Sequence, residues 1–206
     1  MVDYSRANLV YPGANDLIGI IDDFGIPGNW LIRADTTLPA FFLQSAASAK
    51  EGFAIDSGTV EDRSGGAKGT YTLVMTFNQE VTSLHGATTT CGSVERGEID
   101  STDPHNVVIS LTGVGEDCNA TEITVTAEGV TDSAGDTIRK ARLTFGLLIG
   151  DVNGDRVVDE ADLAAIEAVE GQTTDESNFR TDIIPDGIID EADLRAARRA
   201  IGTSLP

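Results

Sequence analysis

The sequence predicts a mainly β protein, an antiparallel β-sandwich followed by a small α module built on two acidic loops. Three observations predict it. Between residues 51 and 148, short runs alternate apolar and polar residues and are punctuated by turn signals. After residue 149 the alternation stops and helical spacing begins. In that last part, a set of acidic residues recurs 31 positions later.

The bulk properties narrow the function classes. The chain has 206 residues, 14 Lys and Arg against 34 Asp and Glu, and a formal net charge of −20. Nucleic acid needs clustered Lys and Arg, so it is excluded as a partner. Anionic membrane surfaces are excluded for the same reason. No run approaches the ~18 apolar residues of a membrane span. The N-terminal stretch MVDYSRANLVYPGAND lacks the basic region and apolar core of a secretory signal.

Residues 1–50 read as an irregular N-terminal arm. Asn15 or Asp16 can cap a short apolar helix, Leu17 to Phe24, which Gly25 stops. The runs Trp30-Leu31-Ile32 and Phe41-Phe42-Leu43 fit either strands or an extended arm covered by another subunit.

Residues 51–148 form the predicted sandwich. Tyr71, Leu73, Met75 and Phe77 alternate with Thr72, Val74 and Thr76, the period of a half-buried strand. Val107 to Leu111, Ile123 to Ala127 and Ala141 to Phe145 repeat the pattern. Ser64-Gly65-Gly66, Asp103-Pro104, Gly113-Val114-Gly115 and Asp132 to Asp136 supply turns. The two cysteines, Cys91 and Cys118, lack the Cys/His company of a zinc site. They read as a disulfide, with two buried free thiols the alternative. A disulfide implies an oxidising, extracytoplasmic setting. Asn119-Ala120-Thr121 matches a glycosylation sequon.

Residues 149–206 form the third part and carry the chemistry. With Asp151 as position 1, Asn153, Asp155, Asp159 and Asp162 occupy positions 3, 5, 9 and 12, and Val157 offers its carbonyl from position 7. This is the ligand spacing of an EF-hand loop, since Ca²⁺ takes six to eight hard oxygens and a tight loop turns alternate residues inward. Thirty-one residues on, Asp182, Asp186, Asp190 and Asp193 repeat it, with Ile188 at position 7. Each loop leads into a predicted helix. The first covers Glu160 to Glu170, with Leu163, Ile166 and Val169 on one side and Gly171 as its stop. The second covers Glu191 to Ile201, with Leu194, Ala197 and Ile201 on one side and Gly202 as its stop. Two Ca²⁺ sites are expected. The first is the tighter, because Ile184 and Pro185 replace the position-3 ligand and its neighbour in the second loop. Arg156 stands at position 6 of the first loop, where a left-handed backbone costs roughly 1–2 kcal/mol.

No helix precedes the first loop, and position 12 is Asp. Paired F-hand repeats of this kind, opened by Gly-Asp-Val-Asn-Gly-Asp, resemble the type I dockerin module. The resemblance covers about Gly150 to Gly202. It implies a calcium-folded two-helix module that docks on a β-sandwich partner, cohesin. Tyr71 to Phe77, Val107 to Val114 and Val130 to Asp136 look like bacterial immunoglobulin-like domains. On the dockerin pattern, partners are read by Glu160, Ala161, Glu191 and Ala192 at loop positions 10 and 11. The helix faces after them add Glu167, Ala168, Arg198 and Arg199, and Arg195, Arg198 and Arg199 form a basic patch in an acidic chain. The usual Ser/Thr or apolar pair is absent at positions 10 and 11.

No catalytic constellation is visible. His85 and His105 sit in turn contexts without a nucleophile, and Glu61-Asp62 and Asp22-Asp23 read as solvated surface acids. The expected function is therefore non-enzymatic: an extracellular or cell-surface structural or adhesive protein of bacterial type that joins copies of itself head to tail into a filament. In that reading residues 26–45 lend a strand to a neighbour. The alternatives are a dockerin-type tail anchoring a larger protein to a cohesin-bearing scaffold, and a carbohydrate-binding module using Trp30 and the tyrosines.

Overall fold

A computed structural model of the chain describes residues 41–206. The helix expected over Leu17 to Phe24 and the run at Trp30 lie outside the described residues. The described residues belong to one compact unit.

Among the described residues ten strands form two sheets. The first has the order β2 (Phe53–Asp56), β1 (Leu43–Lys50), β4 (Tyr71–Phe77), β8 (Asn106–Thr112), β7 (Ser93–Ile99). The second runs β3 (Val60–Glu61), β10 (Thr137–Leu147), β9 (Thr121–Asp132), β5 (Val81–Ser83), and β6 (Gly86–Thr89) also pairs with β9. All pairings are antiparallel except β3 with β10.

The expected period of two decides which faces meet. In β4, Tyr71, Leu73, Met75 and Phe77 are buried while the residues between them are half-exposed. Val107, Ile109 and Leu111 of β8 join them, as do Ile123, Val125 and Ala127 of β9 and Ala141, Leu143 and Phe145 of β10. Each fully buried Leu or Ile contributes roughly 1.5–3 kcal/mol. Gly129, at φ 60, breaks the alternation in β9, so the next inward residue is Val130. Cys91 and Cys118 form a disulfide across 6.0 Å between Cα atoms, on the edge of this core.

The boundary expected after residue 50 cuts through a sheet. β1 pairs with both β2 and β4, so Leu43–Lys50 belong to the sandwich. Their sequence, LQSAASAK, hides this. Only Ala46 and Ser48 turn fully inward, and small residues leave no strong apolar alternation to read.

Beyond the sandwich, α1 (Glu160–Glu167) and α2 (Glu191–Ala200) follow the two acidic loops. Both end earlier than expected. Gly171 and Gly202 adopt φ of 84 and 85, but turns intervene before them. Ile201 leaves the helical conformation and is 41% exposed rather than buried, because α2 has already ended. Ile166, Leu194 and Ala197 pack with Val152, Ile183 and Ile189 into a second small core. A third cluster, Val60, Leu148, Val158, Ala200 and Leu205, bridges the sandwich and the helices.

Candidate metal centre

In the first loop, Asp151 turns its carboxylate inward and accepts the N–H groups of Gly154, Asp155 and Arg156 at 2.9–3.1 Å. Asp162, from the first turn of α1, accepts the N–H groups of Asn153 and Asp159. Asp159 caps α1 by accepting from Ala161 at 2.7 Å. Asp155 accepts from Val157.

The second loop copies this frame. Asp193 accepts from Ile184 and Asp190, Asp190 caps α2 through Ala192, and Asp186 accepts from Ile188. Asp182 accepts from Asp186 and Gly187. Pro185 has no N–H to match that of Gly154. The Thr174 hydroxyl donates to Asp182 instead, at 2.6 Å.

The two halves also clasp each other reciprocally. Val158 donates to Thr203 and accepts from Gly202, while Leu205 donates to Arg156. Displaced by 31 residues, Ile189 donates to Gln172 and accepts from Gly171, while Thr174 donates to Gly187. Bridges Val157–Ser204 and Thr173–Ile188 follow the same displacement. Each loop is thus held by the segment that follows the other loop's helix.

This frame buries four carboxylates. Asp151, Asp162, Asp182 and Asp193 are between 0% and 2% exposed. Among the described residues none of the four has an ion pair. Burial pushes the Asp151 carboxyl above the usual carboxylate range, against the pull of its N–H donors, and does the same to Asp193. Such a set of hard oxygens with uncompensated charge fits a divalent cation of the calcium type. The first loop offers Asp151, Asn153, Asp155, Asp159 and Asp162, with the Val157 carbonyl. The second offers Asp182, Asp186, Asp190 and Asp193, with the Ile188 carbonyl. The carboxylates here are drawn to backbone N–H groups, and no three of them converge within 4.8 Å. The described group that does converge, Cys91, Asp117 and Cys118, has its sulfurs joined in the disulfide.

Arg156 takes the left-handed conformation expected at position 6, with φ 76. Its guanidinium reaches Glu122 of β9 at 3.3 Å and the Pro206 carbonyl at 3.0 Å. The residue that costs backbone energy in the loop therefore also ties the loop to the sandwich and to the C-terminus.

On the expected partner face, Glu160, Ala161 and Glu191 are exposed and Ala192 half-exposed. The basic patch is partly neutralised from within. Arg198 lies 3.3 Å from Glu167 and 3.6 Å from Glu191, and Arg195 donates to the Glu191 carbonyl. Arg199 has no ion pair among the described residues.

Two residues read as solvated acids are fully buried. Glu61 and Asp62 are 0% exposed. Glu61 forms a two-pronged pair with Arg63 at 2.8 and 3.0 Å. Asp62 lies 3.0 Å from Arg180, and burial pushes its carboxyl well above the usual range while Arg180 opposes this. Arg180 also donates to the carbonyls of Val60, Asp151 and Val152 at 2.9–3.1 Å. It links a sandwich strand, the first loop and the approach to the second. The seam is further closed by Ser64 donating to the Ile183 carbonyl and by Phe53 stacked on Phe179 at 5.2 Å. The sequence signal for this seam was thin: Arg63 next to the acids, and a lone Arg two residues before Asp182. No protein-family model matches the chain, and no curated protein matches it.

Proposed function

We propose that this chain is an extracellular, calcium-stabilised structural subunit of bacterial type. In it an immunoglobulin-like sandwich and a dockerin-like pair of calcium loops form one rigid unit that assembles head to tail with copies of itself. The observation that carries this reading is the Arg180 seam. Its guanidinium fastens the sandwich to the backbone of the first loop, so ordering that loop also fixes the unit as a whole. A rigid unit with two different ends gives a heterologous contact, which extends into a filament where it does not close.

Bound in the loops, Ca²⁺ would neutralise the buried carboxylates. Asp151, Asp162, Asp182 and Asp193 are already held inward, so the chain orders little more on binding. The first loop, with five oxygen-bearing side chains against four in the second, binds the more tightly. Titration calorimetry should show two unequal binding events; no heat at millimolar calcium refutes the calcium reading. Electron microscopy with calcium and then with chelator tests assembly, and monodisperse monomers in both refute it. An anchoring role is the second reading, favoured by the exposure of Glu160, Ala161 and Glu191 at the positions by which dockerins read cohesins. Capture by cohesin domains would select it over self-assembly.

A further inference from the structure

Among the described residues, β10 is the longest strand with an open side. β9 pairs along its whole length on one side. On the other side β3 covers only Gly146 and Leu147, and Gly58 donates to the Thr144 carbonyl. Among the described residues no backbone hydrogen bond reaches that side over Thr137–Leu143. Seven residues of open ladder, roughly 23 Å long, are enough to take a full strand.

The charge on this edge is unusual for the chain. Arg139, Lys140 and Arg142 are three of its 14 basic residues, and all are exposed. Lys140 reaches Glu128 only at 3.9 Å, and Arg139 and Arg142 have no ion pair among the described residues. Cations on an edge guard against pairing with an identical edge, since arginines would oppose arginines. They do not guard against an acidic strand. The other edges differ. β7 carries Glu95 and Glu98 and a bulge, β2 has four residues, and β5 has three.

The chain contains a matching segment outside the described residues. Residues 1–40 hold five Asp and two Arg. Asp3 is balanced by Arg6 and Asp35 by Arg33. Asp16, Asp22 and Asp23 are left without a nearby base, around Leu17, Ile18, Ile20 and Ile21. By sequence alone that stretch also fits a short helix, Leu17 to Phe24, but it has the length, the apolar content and the opposite charge that the β10 edge calls for in an added strand.

We propose that the outer edge of β10 receives the Asp16–Asp23 segment of a second copy as an added strand, with the aspartates set against Arg139, Lys140 and Arg142. This rests on the self-assembly reading and names its contact. It places the strand-lending segment nearer the N-terminus than the expected residues 26–45, whose last three, Leu43 to Ser45, already belong to β1.

The test is a reciprocal charge exchange in the full chain, followed by sedimentation and electron microscopy in calcium. The variant Arg139→Glu/Arg142→Glu should raise the concentration needed for assembly by roughly tenfold, because opposed charges become like charges. Asp22→Lys/Asp23→Lys should do the same. The two together should restore assembly to near the unchanged level. Thermal melts of each variant, expected to match the parent, confirm that the sandwich still folds. If the parent assembles and the edge variant assembles equally well, the β10 contact is overturned while self-assembly stands. If both single exchanges weaken assembly and the combination fails to restore it, the pairing of these two segments is overturned. A parent that stays monomeric in calcium overturns the assembly reading itself. Weakening by Glu95→Lys/Glu98→Lys, with no effect of the Asp22/Asp23 exchange, would assign the contact to a neighbour's β7 edge instead.

Discussion

Arg180 is the residue that joins the buried charge of the sandwich to the first loop. It faces the buried Asp62 and satisfies three carbonyls from two parts of the fold. Arg180→Ala should cost roughly 3–5 kcal/mol in urea unfolding, since it strands a buried carboxylate and its acceptors. Arg180→Lys should recover only part of this, because an ammonium cannot serve the same fork of acceptors. The buried carboxyls also set the response to pH. The folded-state pKa values of Asp62, Asp151 and Asp193 are raised above their unfolded values near 4. The folded state therefore binds protons more tightly than the unfolded state. In chelator, stability should be greatest below pH ~4 as far as these groups decide it, and fall as pH rises above that value. Melts of the parent and of Asp62→Asn across that range check this: the variant should show the shallower fall.

At the scale of elements, the two caps and the disulfide are separable contributions. Asp159 and Asp190 each cap a helix with a reciprocal box completed by Asp162 and Asp193. Asp190→Ala, measured in chelator to keep metal binding out of the comparison, should lose roughly 1 kcal/mol of stability. Cys91→Ser/Cys118→Ser should lose roughly 2–5 kcal/mol, because the bond closes a long loop between β6 and β9. β4, β8, β9 and β10 were readable in sequence because their buried faces are built from large apolar residues at a period of two; β5, β6 and β7 were not, because VTS, GATT and SVERGEI carry no such stripe. β1 was not, because two small inward residues carry no such signal. The helix starts were readable from Asp-x-x-Asp before an apolar stripe. Their ends were not, since the last turns unwind where Val169 and Ile201 leave the helix before the glycines are reached.

For the whole molecule, the sandwich and the helical module share a core cluster, buried charges and a stacked aromatic pair. They should therefore unfold together. Calorimetry should give a single cooperative transition in chelator, and calcium should raise its temperature as a whole rather than split it. Two separate transitions would show that the seam couples the parts only weakly.

The sequence by itself determined the β character of residues 71–77, 107–111, 123–127 and 141–145 and the 31-residue repeat of aspartates, and it pointed to the Cys91–Cys118 bond. These are local or periodic properties, written in neighbouring residues and in the spacing between them. Tertiary structure alone decided that Glu61, Asp62 and Arg180 form a buried seam, that Leu43–Lys50 complete a sheet, and that β10 presents a cationic edge with no partner over Thr137–Leu143 among the described residues. Burial and edge position depend on which distant segments meet. A charged residue at a seam therefore looks in sequence the same as one in water.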